Sequence, residues 1–380
     1  MSKQNALICS KTGKEYAIND LRWKSEADAP LNIRFMPSFD KHAIRVRSAN
    51  MWRYREALPI SFDRNIVSFG EGATPLQSIE ISTKKLFLKL DFMFPTGSYK
   101  DRGASVLVSK MKELGVKHAI MDSSGNAGAA VAAYCAKAGI LLDVYAPEST
   151  SSGKLTQIIA YGANLKLING TRQDATFAAL EALKSSESYY ASHAYNPFFF
   201  QGTKTFAYEI CEQLGWKAPD TVILPAGNGT LIIGAYIGFR ELLKSGITTK
   251  IPKIIGVQVA ACAPLYQAFT QELLNIPSIE IGKSYAEGLM VATPVRGMQI
   301  VQYVELTGGF FFAIDEEEIK EKTLFLAKQG YFVEPTSATV FAGACKYLKT
   351  AQEDEIVVSV LTGSGLKAGN IIAEMMKNDS

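Results

Sequence analysis

The sequence predicts an α/β protein of two lobes, each built on a largely parallel, twisted sheet flanked by helices. Three observations predict it. From Lys85 onward, β-type runs alternate with helical patterns, as they do where parallel strands are joined by right-handed crossovers. Glycine-rich turns recur directly after those runs, where sheets of this class gather their functional groups. The 380 residues are also enough for two lobes rather than one core.

Residues 1–70 are rich in Arg, Trp and short apolar pieces with no sustained period, and read as an irregular N-terminal arm. Strands are expected at 86–91, 118–123, 141–146, 164–168, 189–194, 221–226, 253–259 and 356–362, each a short apolar or β-branched run. Helical patterns lie between them, for instance 126–137, 171–184 and 201–214, and another helix begins near Leu231. Asp315 followed by three glutamates reads as a helix cap with an acidic first turn, not as paired catalytic carboxylates. The expected division is an arm over 1–70, a large lobe from 71–104 and 206–380, and a smaller movable lobe over 105–205.

Charge and composition exclude several classes. The net charge of +3, from 40 basic and 37 acidic residues, offers no footprint for nucleic acid or an anionic membrane. The longest apolar run, 221–239, is split by Pro225 and a Gly-Asn-Gly centre into a strand and a helix start, so no membrane span is expected. The N-terminus has no apolar stretch long enough for a signal peptide. Five scattered cysteines without a C-x-x-C pair point to reduced thiols and a cytoplasmic protein.

Four segments carry chemistry. PTGSYKDRG places Lys100 at the mouth of a helix with Lys89 and Arg102 close in sequence; a partly desolvated lysine beside other cations becomes a usable amine. SSGNAG bridges a strand and a helix, so the Ser123 and Ser124 hydroxyls and the Gly125 amide make a carboxylate-sized anion site. Asn126 in the same loop can donate to a phenolate-type oxygen, although a Ser or Asn helix cap accounts for the loop equally well. PAGNGT follows an apolar strand, and its successive amides and helix start suit a small phosphate. It lacks the G-K-[ST] of a nucleoside-triphosphate loop and the third glycine of a dinucleotide fold. In LTGSGLK, Thr362 or Ser364 can offer a neutral hydroxyl to a ring nitrogen. An amine, a phosphate cup, a carboxylate loop and a neutral ring partner together match pyridoxal 5'-phosphate.

With these segments the chain resembles the fold-type II (tryptophan synthase β-like) pyridoxal-phosphate enzymes and, among them, the threonine synthase family. MWRYR at 51–55, GEGATPL at 70–76, EPTSA at 334–338 and LTGSGLK extend the likeness over nearly the whole chain. The resemblance implies that Lys100 carries the cofactor and shuttles protons, and that Asn126 bonds its 3-hydroxyl. Gly227, Asn228, Gly229 and Thr230 would bind the phosphate, and Thr362 would face an unprotonated ring nitrogen. Ser123, Ser124 and Gly125 would hold the carboxylate of a small amino-acid substrate, with Lys154 and His193 as further substrate residues. The activity implied is that of a biosynthetic carbon–oxygen lyase forming L-threonine from O-phospho-L-homoserine and water.

Two departures from the family pattern matter. The N-terminal segment resembles a degenerate zinc ribbon that keeps only Cys9, and structural zinc takes four ligands, so no metal is expected. Around the substrate phosphate, Ala127, His193, Ala194 and Phe199 stand where the family pattern has Thr, Asn, Ser and Arg, although Asn196 and Pro197 remain. Each charge-assisted bond lost to a buried dianion costs roughly 1.5–3 kcal/mol. His193 and Lys154 are the groups that could compensate. A paralogous elimination or replacement enzyme, dehydratase-like or cysteate-synthase-like, is therefore the alternative. A catalytically silent cofactor-binding protein is a third reading, opposed by the intact Lys100, Asn126 and Thr362. The arm at 1–70 is a candidate surface for a homodimer.

Overall fold

The computed structural model describes residues 5–148, 150 and 152–377, with backbone alone for 152–154. The chain falls into two compact units. One takes in the chain up to Gly72 and Lys100–Thr203; the other takes in Ala73–Tyr99 and the chain from Lys204.

In the first unit four parallel strands stand in the order Asn164–Ile168, Leu141–Pro147, His118–Met121, Tyr189–Tyr190. The helix Asn126–Ala138 is alanine-rich, which favours helix and allows close packing, and it stops at Gly139 in the left-handed conformation (φ +67°). Its Val131 and Tyr134 share a core with Leu107, Val144, Ile158 and Phe199. The helix Arg172–Lys184 begins on a capping box between Thr171 and Asp174. At the amino ends of the strands His118 is tied to Ser188 Oγ through Nδ1 (2.7 Å) and to Asp143 Oδ2 through Nε2 (3.2 Å). Parallel pairing brings these groups together although Asp143 and Ser188 lie 25 and 70 residues from His118.

Residues 5–72 are more regular than their sequence suggests. Three short strands form an antiparallel sheet in the order Glu15–Ala17, Ala6–Cys9, Leu31–Arg34. Strands of three and four residues are too short to display a period of two. They are held by burial instead: Leu7 and Leu31 pack with Phe198 of the helix Pro197–Thr203. Further along, Met51, Trp52, Leu58 and Ile60 pack with Val106, and the Trp52 indole N–H donates to Ser105 Oγ (2.9 Å) and Glu71 Oε1 (3.1 Å).

The helix expected over 201–214 is two helices, Pro197–Thr203 and Thr205–Gln213. The first starts early because Asn196 Oδ1 accepts from the Phe198 N–H (3.0 Å) with proline next in line, a favourable start that the FFF run obscures. Asn196 is anchored in turn by donating to the Tyr189 hydroxyl (2.6 Å).

In the second unit six strands stand in the order Phe311–Ile314, Lys253–Val259, Thr221–Pro225, Val357–Val360, Lys84–Lys89, Leu76–Ile81. All neighbours are parallel except the last pair. The two strands that the sequence reading misses are the two at the sheet edges. Leu76–Ile81 is half polar and Phe311–Ile314 has four residues, so neither shows the continuous apolar run of a strand buried on both faces. Asp315 caps the helix Glu316–Lys328 by accepting from the Glu318 N–H, as its sequence implies.

Candidate active site

Lys100 is the first residue of the helix Lys100–Glu113 and is only partly exposed. Its Nζ lies 5.9 Å from the centroid of the Phe199 ring, a cation–π distance. Phe199 is fully buried and occupies the space beside Gly103, where an added Cβ would come within 2.3 Å of the ring. Gly202 meets the same helix one turn on: a Cβ there would lie 1.9 Å from the Arg102 carbonyl oxygen. Two glycines thus let the helices touch and fix the aromatic ring next to the lysine. The His193 ring stands edge-on to Phe199 at 5.9 Å. Burial, and then the charges of Lys100 and Arg172, hold the His193 imidazole well below its ordinary pKa, so it is neutral at neutral pH. His193 therefore brings hydrogen bonding but no positive charge.

Lys89, read on the sequence as a cation that could act on Lys100, is instead neutralised within the second unit. It is fully buried, pairs with Glu209 at 2.8 Å, and donates to Thr74 O (2.6 Å) and Gln213 Oε1 (2.8 Å). Arg102 is fully buried in the first turn of the lysine's own helix.

The SSGNAG loop follows the strand His118–Met121 and turns tightly. Gly128 makes the turn possible, since an added Cβ would fall 1.8 Å from the Ser123 carbonyl oxygen. Gly125 is the N-cap of the helix Asn126–Ala138, and no side chain caps it, so the Ser or Asn cap considered on the sequence is not what forms. The first-turn amides of this 13-residue helix face the Ser123–Gly125 loop, an arrangement suited to an anion. Ala127 is buried directly after Asn126. The Lys154 side chain lies outside the described residues.

In the second unit, PAGNGT follows the strand Thr221–Pro225 and leads into the 15-residue helix Thr230–Lys244. Gly229 sits in the left-handed conformation (φ +62°), and a Cβ there would meet Ile300 at 2.2 Å. No side chain caps this helix either. The loop is therefore a glycine-lined turn with backbone donors at a helix start, which is what a small phosphate requires. The Thr230 hydroxyl lies at that start, 3.0 Å from the Tyr99 hydroxyl.

The segment just before Lys100 is clamped to the TGSG loop. Tyr99 N–H donates to Thr362 O (2.9 Å), Ser364 N–H donates to Gly97 O (2.9 Å), and Ser98 bridges Gly363 between them. Thr362 is buried, and its hydroxyl lies 3.0 Å from Ser337 Oγ and 3.3 Å from Glu334 Oε1. Ser98 is fully buried, and its Oγ has no hydrogen-bond partner among the described residues. An orphaned buried hydroxyl two residues from the amine, a glycine-lined phosphate turn and a neutral hydroxyl after the last strand are a donor set that fits pyridoxal phosphate. Ser98, Tyr99, Glu334 and Ser337 were not singled out on the sequence; their only signal was that they lie within the motifs PTGSYKDRG and EPTSA.

Among the described residues no group of three or more His, Cys, Asp or Glu is arranged to hold a metal. Burial raises the Cys9 thiol's pKa, but its hydrogen bonds with Ser25 and Thr12 outweigh this and bring it to about 7. No helix among the described residues is long and apolar enough to cross a membrane.

Comparison with known proteins points to the same cofactor. The family described as pyridoxal-phosphate dependent enzyme matches residues 67–363. Threonine synthase of Methanocaldococcus jannaschii is 35% identical over 373 residues, covering 94% of this chain and 92% of its own. Threonine synthase of Methanosarcina acetivorans is 34% identical over 374 residues, covering 95% and 92%. The crystal structure of maize serine racemase superposes with a TM-score of 0.71 at 20% identity, covering 87% of this chain and 98% of its own, a likeness of fold. The fold is that of the pyridoxal-phosphate enzymes of fold type II. The chain belongs to the threonine synthase family of pyridoxal-phosphate-dependent lyases.

Proposed function

We propose that the protein converts O-phospho-L-homoserine and water to L-threonine and phosphate, with Lys100 as its catalytic residue. The observation that carries this reading is the relationship to threonine synthases over more than nine-tenths of the chain, in a protein that keeps an amine at Lys100. Bound pyridoxal phosphate supplies the electron sink that loosens protons next to the substrate's amino carbon. Lys100 would hold the cofactor, and its amine would be the base that takes the substrate's α-proton and then a β-proton. Phosphate leaves from Cγ, one of the two protons returns to Cγ to make the methyl group, water adds at Cβ, and the other returns to Cα. Asn126 bonds the cofactor's ring oxygen, and Gly227, Asn228, Gly229 and Thr230 bind its phosphate. Thr362 meets the ring nitrogen, while Ser123, Ser124 and Gly125 bind the substrate carboxylate. Lys154 and His193 lie on the substrate side of the same proposal. So do a cytoplasmic location and a homodimer, for which sedimentation of the purified protein is the check.

A second reading has its own support. Phe199, Ala127 and Ala194 are buried, and His193 is held neutral, so these four positions offer no charge to a second phosphate. That favours a substrate with a smaller or neutral leaving group, handled by β-elimination or β-replacement. Incubation with O-phospho-L-homoserine decides between them. The first reading expects threonine and phosphate in equal amounts; neither product, alongside turnover of serine, threonine or phosphoserine, sinks it in favour of the second.

A further inference from the structure

The four strands Asn164–Ile168, Leu141–Pro147, His118–Met121 and Tyr189–Tyr190 are parallel, so the segments that follow them lie on one side of the sheet. That side carries the Ser123–Gly125 loop after one strand and His193 after another. It also carries Arg172, the first residue of the helix that follows Asn164–Ile168. The helix is docked there: Ala175 and Ala179 are fully buried, and the Thr176 hydroxyl donates to Asp122 Oδ2 (2.8 Å), the neighbour of Ser123. Ser124 Oγ in turn lies 3.4 Å from Thr150 Oγ1, beyond the strand Leu141–Pro147. Hydrogen bonds thus tie three strand-end segments together at the loop assigned to the substrate carboxylate.

Arg172 has no task in holding its own helix. A cation on the first turn faces the positive end of the helix dipole and is disfavoured there. The acids beside it are engaged elsewhere: Asp174 accepts from the Thr171 N–H (2.6 Å) and hydroxyl (2.7 Å), and Asp122 accepts from Thr176. Among the described residues no carboxylate forms an ion pair with Arg172. The side chain is exposed, yet its charge reaches inward. After burial and the charge of Lys100, it is the third cause that keeps the His193 imidazole neutral. Lys100, His193 and Arg172 therefore belong to one cluster, with Phe199 5.9 Å from both Lys100 Nζ and the His193 ring.

We infer that Arg172 is a specificity-determining residue that binds the phosphate of a phosphorylated amino-acid substrate, supplying the positive charge that Phe199 cannot. The inference rests on the amino-acid site proposed at Lys100 and the Ser123–Gly125 loop. A guanidinium presents a planar fork of donors that matches phosphate oxygens, and the neutral His193 adds a hydrogen bond without charge. Arg172 reaches this role from another element, so it is not recognisable as a replacement for a residue at 199.

The test is calorimetric binding of two unreactive ligands to the protein loaded with pyridoxal phosphate. One is 2-amino-5-phosphonopentanoate, in which a methylene replaces the bridging oxygen of O-phospho-L-homoserine so that phosphate cannot leave. The other is L-norvaline, the same carbon chain without the phosphonate. The unsubstituted protein should bind the phosphonate more tightly. Arg172→Gln should weaken the phosphonate by about tenfold or more, the loss of a charge-assisted bond, and leave norvaline unchanged. Arg172→Lys, which keeps the charge without the fork, should fall between. Unchanged phosphonate binding in Arg172→Gln, an equal loss for both ligands, or no preference for the phosphonate in the unsubstituted protein overturns the inference. The substrate reading fails separately: a phosphonate held through Arg172 by a protein that makes no threonine from O-phospho-L-homoserine upholds Arg172 and assigns a different phosphorylated amino acid.

Discussion

At the scale of single residues, the chemistry around Lys100 is set by what surrounds it, not by the lysine alone. Phe199 and His193 make one side of its environment apolar and neutral, with the His193 proton affinity lowered by burial and by the nearby charges of Lys100 and Arg172. This has a consequence for stability. Below about pH 6.5 the unfolded chain protonates its histidine, whereas the folded chain refuses the proton until a much lower pH. The unfolded state then binds more protons, so stability falls as pH drops through this window and is fully present above it. Thermal unfolding of the unsubstituted protein and of His193→Gln between pH 5 and 8 checks the sign: the unsubstituted protein should lose ground to the variant as pH falls, and parallel curves would contradict the assignment. Lys100 was legible from the sequence because its motif is local. The neutrality of His193 was not, since it depends on Phe199, Arg172 and Lys100 meeting in space.

At the scale of elements, glycines and buried ion pairs do the positioning. The helices Lys100–Glu113 and Pro197–Thr203 touch through Gly103 and Gly202, and the neighbours of Gly202 are backbone atoms that cannot move aside. Gly202→Ala should therefore destabilise by about 2–4 kcal/mol in urea unfolding, as overpacking against a rigid wall does. In the second unit, Lys89 and Glu209 are both buried and pair at 2.8 Å. Removing one charge strands the other, so Glu209→Gln should cost about 3–5 kcal/mol; a loss under 1 kcal/mol by the same measurement would show that Lys89 is satisfied by Thr74 and Gln213 alone. The central strands were readable because strands buried on both faces are nearly all apolar, as Thr221–Pro225 and Val357–Val360 are. The edge strands Leu76–Ile81 and Phe311–Ile314, and the short N-terminal strands, carry too little pattern of their own and are fixed by their neighbours.

At the scale of the whole molecule, the cofactor and the family follow from motifs that lie just past strand ends, and relatives across nearly the full chain agree with them. The substrate is less legible, because it depends on side chains such as Ala127, Ala194 and Phe199 that contribute volume rather than a recognisable group. The central claim is that this chain carries pyridoxal phosphate on Lys100, and borohydride reduction followed by peptide mapping tests it most directly. The purified protein should show violet absorbance that reduction removes, with the cofactor label on the peptide containing Lys100 and none in Lys100→Arg. A colourless protein whose Lys100 remains unmodified, or a label on another lysine, would contradict it.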